Sequence, residues 1–232
     1  KKLLKKIISR HKPQIIFHLA AQSLVSNSYT DPIKTWETNL IGTINILDIL
    51  KKTKHTCQVI IVTSDKCYRN VETKRGYKED DVLGGEDPYS ASKASAEIAI
   101  NSFFRSFLIK KKNISIVSCR AGNVVGGGDW SKDRIVPDCI KSWMEEKTVS
   151  IRNPKSTRPW QFVLEPINGY VTLANKLVDD KKLNGHSFNF GPKNKKMISV
   201  IYVVKALSNF FGGKKFKIIK KNKITESNLL KL

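Results

Sequence analysis

Acidic residues are scarce in this chain, cysteines are few, and no long apolar run occurs. Asp and Glu together number 20 against 42 Lys and Arg, a formal charge of +22 over 232 residues. Such an excess suits either a nucleic-acid groove or a lysine-rich solvated surface. The lysine runs, Lys110-Lys111-Lys112 and residues 214–223, hold a single aromatic, Phe216, and so lack the repeated aromatic interleaving of a base-stacking platform. The solvated surface is therefore expected, with no nucleic-acid partner. The four cysteines, Cys57, Cys67, Cys119 and Cys139, form no C-x-x-C pair and have no spaced histidines near them. This argues against a zinc site and a disulfide framework and leaves free thiols in a reducing compartment. No apolar run approaches the roughly 20 residues of a membrane span. The opening Lys1-Lys2-Leu3-Leu4-Lys5-Lys6-Ile7-Ile8 reads as an amphipathic helix without the apolar core or cleavage site of a signal peptide. A cytoplasmic protein with no membrane partner and no metal is the expectation.

What is present is an alternation of strands and helices. Hydrophobic residues make up 40% of the chain, enough for one α/β domain or one domain with a small appendage. Residues 13–20 (PQIIFHLA) read as a buried strand of a parallel sheet. Asp31-Pro32 then opens a helix, with Asp as cap and Pro at the first position. Its apolar stripe is Ile33, Trp36, Leu40, Ile41, Ile44, Leu47 and Leu50. Residues 59–62 form the next strand, 66–85 a polar loop, 88–107 a long helix and 114–119 another strand. The order β-α-β-α-β predicts an α/β fold with a doubly wound parallel sheet. After Gly122, glycine, proline and tryptophan become frequent, as in Gly126-Gly127-Gly128-Asp129-Trp130 and Pro159-Trp160. This half reads as a smaller lobe over the carboxyl edge of the sheet.

The chemistry concentrates in Asp87-Pro88-Tyr89-Ser90-Ala91-Ser92-Lys93 and in Val62-Thr63-Ser64-Asp65-Lys66 at the end of a strand. Tyr89 and Lys93 are one helical turn apart and share a face. An ammonium beside a phenol is expected to lower the phenol's pKa, so that Tyr89 could take the proton of a sugar hydroxyl while hydride leaves the same carbon. One expected partner motif is missing. A dinucleotide-binding fold opens on a strand, a glycine-rich turn and a helix. No such turn opens this sequence, and Gly126-Gly127-Gly128 has the wrong spacing and place. The expectation is a fragment that lacks its first βαβαβ stretch, with residues 226–232 an internal segment cut short, and without turnover in isolation.

Several stretches together resemble the extended short-chain dehydrogenases/reductases that act on nucleotide sugars, and among them the CDP-glucose 4,6-dehydratases. They are His18-Leu19-Ala20-Ala21-Gln22, Thr38-Asn39-Leu40-Ile41-Gly42-Thr43 and Thr63-Ser64-Asp65-Lys66-Cys67-Tyr68. Pro88-Tyr89 with Lys93 follows, then Arg120-Ala121-Gly122-Asn123 running on to Gly126-Gly127-Gly128-Asp129-Trp130. Arg158-Pro159-Trp160-Gln161-Phe162 and Asn189-Phe190-Gly191-Pro192 complete the set. Tyr-x-x-x-Lys alone is weak; the Ser-Asp-Lys triplet joined to Gly-Gly-Gly-Asp-Trp and Arg-Pro-Trp-Gln-Phe is far more specific. Ser23 stands where proline is usual, and Ser26 where arginine is usual, which bears on one contact to an anionic ligand.

The resemblance implies a Rossmann-like domain over residues 1–122 and a nucleotide-sugar lobe mainly over 123–232, partly interleaved with the sheet. It implies NAD as a resident cofactor, CDP-glucose as substrate, and a homodimer pairing through the Asp31 and Pro88 helices. Tyr89 would be the base for the sugar hydroxyl, Lys93 its partner and a holder of the nicotinamide ribose, and Ser64 a hydrogen-bond partner of the hydroxyl. Asp65 would be the acid for the departing hydroxyl and Lys66 the candidate base at carbon 5. His18, Leu19, Ala20, Ala21 and Gln22 would line the cofactor cleft, with Asn39 ordering backbone beside it. Arg120, Asn123, Arg134, Arg152 and Arg158 would meet the diphosphate, since guanidinium forks bind phosphate bidentately. Trp160 either stacks near the base or fills the lobe's core. Another nucleotide-sugar dehydratase or a 4-epimerase of the same fold, and a non-catalytic basic module, are the alternatives; the Asp65-Lys66 pair argues against the epimerase.

Overall fold

The computed structural model describes residues 1–73, 75–192, 198–219 and 229. Residues 226–228 and 230–232 of the expected cut segment, and residues 220–223 of the second lysine run, lie outside the described residues. The chain opens with helix α1 (Lys2–His11) and strand β1 (Ile15–His18). Short helix α2 (Val25–Thr30) follows. Helix α3 (Pro32–Trp36) then runs through a π turn (Glu37–Ile41) into α4 (Gly42–Lys52) without a break. Next come β2 (Cys57–Val62), a 3-10 turn (Asp65–Cys67), α5 (Pro88–Phe103) with a second π turn (Phe104–Leu108), and β3 (Ile114–Ala121). The second half holds β4 (Val124–Val125), α6 (Ile135–Met144), β5 (Val149–Ile151), β6 (Thr157–Arg158), β7 (Gln161–Phe162) and α7 (Leu164–Asp179). It ends with β8 (Ser187–Phe190), β9 (Ile198–Ser199), α8 (Val200–Phe210) and β10 (Phe216–Ile218).

Four strands form one sheet in the order β1-β2-β3-β8, every pair parallel. Side chains alternate across it. Cys57, Val59 and Ile61 of β2, with Ile114 and Ile116 of β3, face α1, α4 and α5 and meet Ile46, Leu47, Leu50, Ile100 and Leu108. Ile60, Val117 and Cys119 point the other way, onto Tyr170, Leu173, Ala174 and Leu177 of α7. Helices thus cover both faces, as a parallel sheet requires. Strands β1 and β8 are the edges of this four-stranded sheet, and Ile15 and Phe17 of β1, with Leu19 just after it, are exposed.

The helix from Pro32 to Lys52 departs from its expected stripe. Asp31 caps it as its sequence implies, accepting from Lys34 N at 3.0 Å. Ile33 and Ile41, however, are exposed (67% and 46%), while Thr35, Asn39 and Thr43 are buried. The π turn inserts one extra residue and rotates the upstream half by about 100° relative to the downstream half. The polar face of the first half therefore packs inward, toward the loop after β1 and toward α5.

The second half builds its own small core from Cys139, Trp143, Val149, Ile151 and Val204, while β8 and α7 rejoin the main sheet. All four cysteines are buried and free. Among the described residues, no helix is long and apolar enough to cross a membrane, and no group of three or more metal-ligating side chains occurs.

Candidate active site

A cleft of about 780 Å³ opens at the carboxyl ends of β2 and β3, where open α/β sheets bind their ligands. One wall is Val62 to Lys66 with Tyr89. The floor is Ala121 to Gly128, and the far wall comes from the second half, including Arg134, Arg152, Ser156, Arg158 and Trp160.

Ser64 caps the 3-10 turn: Lys66 N donates to its Oγ at 3.2 Å, and Ser64 Oγ donates to Asp65 Oδ1 at 3.1 Å. Asp65 is only 3% exposed, and its Oδ2 has no partner among the described residues. Burial pushes the carboxyl up from 3.8 to about 6, against the opposing pull of Lys66, Ser64 and Arg158. A glycine is required opposite it. A Cβ on Gly122 would collide with Pro159 Cγ and sit 3.1 Å from Asp65 Oδ2.

Tyr89 and Lys93 lie on the first two turns of α5, whose start is fixed by Asp87 capping Ser90 N at 3.0 Å. Both side chains are buried. Here the electrostatics differ from the expectation. Burial pushes the Tyr89 phenol up to about 12, against the downward pull of a hydrogen bond with Ser64 and of the charge of Arg134. Burial also pulls the Lys93 ammonium down to about 8.

His18, Leu19, Ala20, Ala21 and Gln22 sit at the end of β1 beside the cleft, without lining it. Asn39 clamps this segment. It accepts from Gln22 N at 2.8 Å, donates to Gln22 O at 3.0 Å, and donates to Ser92 Oγ on α5 at 2.9 Å. Gln22 in turn bonds Leu24 N, Leu24 O and Thr35 Oγ1. The His18 ring, held down to about 4 by burial and then by the charge of Lys93, is neutral and contacts Thr43 Oγ1 at 3.3 Å.

The five expected diphosphate contacts separate. Asn123, Arg134, Arg152 and Arg158 line the cleft. Arg120 does not. It is 3% exposed and locked in the core, donating to Glu97 Oε2 at 2.7 Å, to the Tyr68 hydroxyl at 2.8 Å and to Glu79 O at 2.9 Å. The reason is strand length. β3 runs two residues past its expected end at Cys119, so pleating turns Arg120 to the same face as Ile116, toward α5. Trp160 borders the cleft and donates from Nε1 to Ile198 O at 3.0 Å.

Sequence reasoning missed the acidic residues of the far wall. Asp133 pairs with Arg152 at 2.7 Å, and Asp129 with Arg134 at 3.3 Å. Their signal is the acidic spacing in Gly128-Asp129-Trp130-Ser131-Lys132-Asp133-Arg134, of which only the part up to Trp130 enters the family match. The glycine triplet, set aside as having no pyrophosphate role, floors the cleft.

The sequence profile of the GDP-mannose 4,6 dehydratase family matches residues 1–222. A CDP-glucose 4,6-dehydratase of Salmonella typhimurium is 43% identical over 213 residues, covering 90% of this chain and 59% of that protein. A dTDP-D-glucose 4,6-dehydratase of Dictyostelium discoideum is 29% identical over 185 residues, 75% of this chain and 41% of its own. The chain therefore spans about three fifths or less of the length of these relatives. In fold it is similar to a dTDP-glucose 4,6-dehydratase of Bacillus anthracis solved with NAD, at TM-score 0.80 and 21% identity over 100% of this chain and 67% of that one. With the profile matched over all but its last residues, this chain belongs to the GDP-mannose 4,6 dehydratase family.

Proposed function

We propose that this protein dehydrates CDP-glucose to CDP-4-keto-6-deoxyglucose, a step toward the deoxysugars of surface polysaccharide, with NAD as resident cofactor. The observation that carries this reading is Asp65. A buried carboxyl raised to about 6, with one oxygen bonded to Ser64 and the other without a partner, is an acid poised to give a proton inside the cleft.

NAD fits the residues present. The Lys93 ammonium is a buried donor one helical turn from Tyr89, and ribose hydroxyls would accept from it. Tyr89 and Lys93, with the loop His18, Leu19, Ala20, Ala21 and Gln22 and Asn39 behind it, would hold the cofactor. When bound, NAD supplies a hydride acceptor for carbon 4 and a donor for carbon 6. The chain's own residues manage the protons. Tyr89 acts from its phenolate, the minor form that burial disfavours: the phenolate oxygen takes the proton of the carbon 4 hydroxyl, and Ser64 orients that hydroxyl and the phenol together. Asp65 Oδ2 gives its proton to the hydroxyl leaving carbon 6, which departs as water. Lys66, at the mouth of the same turn, is the candidate base for the carbon 5 proton.

Asn123, Arg134, Arg152 and Arg158 would bind the diphosphate, with Trp160 beside the base, in a lobe drawn mainly from residues 123–232. Ile41, Ile98 and Phe107, all exposed on the helices from Pro32 and Pro88, support a homodimer paired through these helices. Mass spectrometry of CDP-glucose incubated with NAD and the full-length gene product tests the reading. Product lighter by one water is expected; unchanged mass would overturn it, and chromatography of the glucose and galactose forms would then test 4-epimerisation.

A further inference from the structure

Glu97 takes no part in the chemistry above, yet its side chain is densely bonded. Its carboxylate is 3% exposed. Thr63 Oγ1 donates to Oε1, while Ser118 Oγ at 2.8 Å, Arg120 at 2.7 Å and Ser187 Oγ at 3.1 Å donate to Oε2. Thr63, Ser118 and Arg120 all lie on the α5 face of the sheet, in phase with Ile61 and Ile116. Four donors converge on one carboxylate beneath the cleft.

Glu97 is also one turn beyond Lys93 on α5, the spacing at which helical side chains are neighbours. Lys93 is 5% exposed. A buried ammonium tends to lose its proton, because low dielectric disfavours the charged form. The groups that face it are few. Glu97 on its own helix favours its charge, while the Cys67 thiol on the 3-10 turn is pushed well above its ordinary value by burial and is neutral. His18 at the end of β1 is neutral and itself feels the Lys93 charge. Tyr89 lies one turn before it.

We propose that Glu97 is a positioning residue for Lys93: its four-donor carboxylate keeps the neighbouring buried ammonium charged, and Arg120 is there to hold Glu97 in place. The importance of a charged Lys93 rests on the dehydratase reading, whereas the electrostatic link between Glu97 and Lys93 does not. This gives Arg120 the role that a phosphate contact cannot, and it ties Ser64 to the same network through the adjacent Thr63.

The test is a titration of the Lys93 amine in full-length protein by nitrogen-15 NMR of lysine Nζ, the signal assigned with Lys93→Arg. Glu97→Gln is expected to move the Lys93 midpoint toward acid by about one pH unit, a tenfold change in its acid constant. Because Glu97→Gln strands the buried Arg120 charge, Glu97→Gln with Arg120→Met serves as a second variant that removes both charges together; such paired replacement is often tolerated. The same acidward direction is expected there, and the alkaline limb of kcat/KM should follow it. Glu97→Asp, which keeps the charge, should titrate close to wild type. An unmoved Lys93 midpoint in the double variant overturns the proposal whether or not CDP-glucose is turned over. Absence of dehydration by the wild type would instead sink the reading of the reaction while leaving the midpoint result standing.

Discussion

The Ser64 hydroxyl reaches Asp65 Oδ1 at 3.1 Å, so two adjacent residues at the end of β2 join the phenol of Tyr89 to a buried carboxyl. Three groups of different proton affinity are thereby placed on one turn of backbone and the helix beside it. The arrangement is costly to the free protein, and that cost can be measured.

Asp65→Asn should stabilise the protein while abolishing its chemistry. The folded-state pKa of Asp65 is raised above 3.8, so its stabilising share is complete below about pH 4 and lost as pH rises through about 6. The rise corresponds to about 3 kcal/mol of penalty on the ionised form. An amide cannot ionise, so thermal melts should show a higher Tm than wild type at pH 8 and little gain at pH 4. Turnover of CDP-glucose should fall by about 10²–10⁴-fold. A lower Tm at pH 8 would show that the carboxyl is not buried as described.

Tyr89→Phe removes one oxygen from the cleft and one hydrogen bond to Ser64. The lost bond is worth about 1 kcal/mol, so folding survives. Loss of a general base lowers kcat by about 10²–10⁴-fold. NAD affinity, read by fluorescence titration, should fall severalfold at most, far less than kcat, because Lys93 and the segment from His18 to Gln22 remain.

Arg120→Ala and Arg152→Ala should fail in opposite ways. Arg120→Ala leaves the Glu97 charge buried and unpaired, at a cost of about 3–5 kcal/mol, visible as a large drop in the denaturant midpoint. Arg152 is about half exposed and pairs with Asp133 at the surface, so its removal should leave the midpoint unchanged and raise KM for CDP-glucose severalfold. Equal effects of the two on KM would restore Arg120 to the diphosphate.

Gly122→Ala drives a methyl into the ring of Pro159 and against Asp65 Oδ2. Overpacking of this kind costs about 1–3 kcal/mol. Tm should fall, and kcat with it, since the acid is displaced. Shortening the opposing ring by Pro159→Ala in the same chain should recover Tm in part.

Much of this was legible in the sequence because single residues dictated it. Asp31-Pro32 and Asp87-Pro88 mark helix starts, and both aspartates cap as expected. The apolar runs of β2 and β3 announce buried parallel strands. The gathering of Ser64, Asp65, Lys66 and Tyr89 around one cleft also follows from strand ends and helix starts. Arg120 was not legible in this way. An arginine near a strand end suits a phosphate or a buried carboxylate equally well, and the choice was made by Glu97, 23 residues earlier, and by two more residues of pleat. The electrostatics of Tyr89 were hidden for a similar reason. The spacing to Lys93 is written in the chain, but the depth at which both are buried is a property of the packed layers.

The π turn at Glu37–Ile41 makes residue count itself a determinant here. Remove any one residue from that turn and the helix closes into regular α geometry, with its core half still seated on Ile46, Leu47 and Leu50. Its upstream half would swing by about a quarter turn, and Asn39 would let go of Gln22 and Ser92 at once. A one-position gap at this point in an alignment of relatives would therefore mark a protein whose loop beside the cleft is held by something else, however well the flanking letters agree.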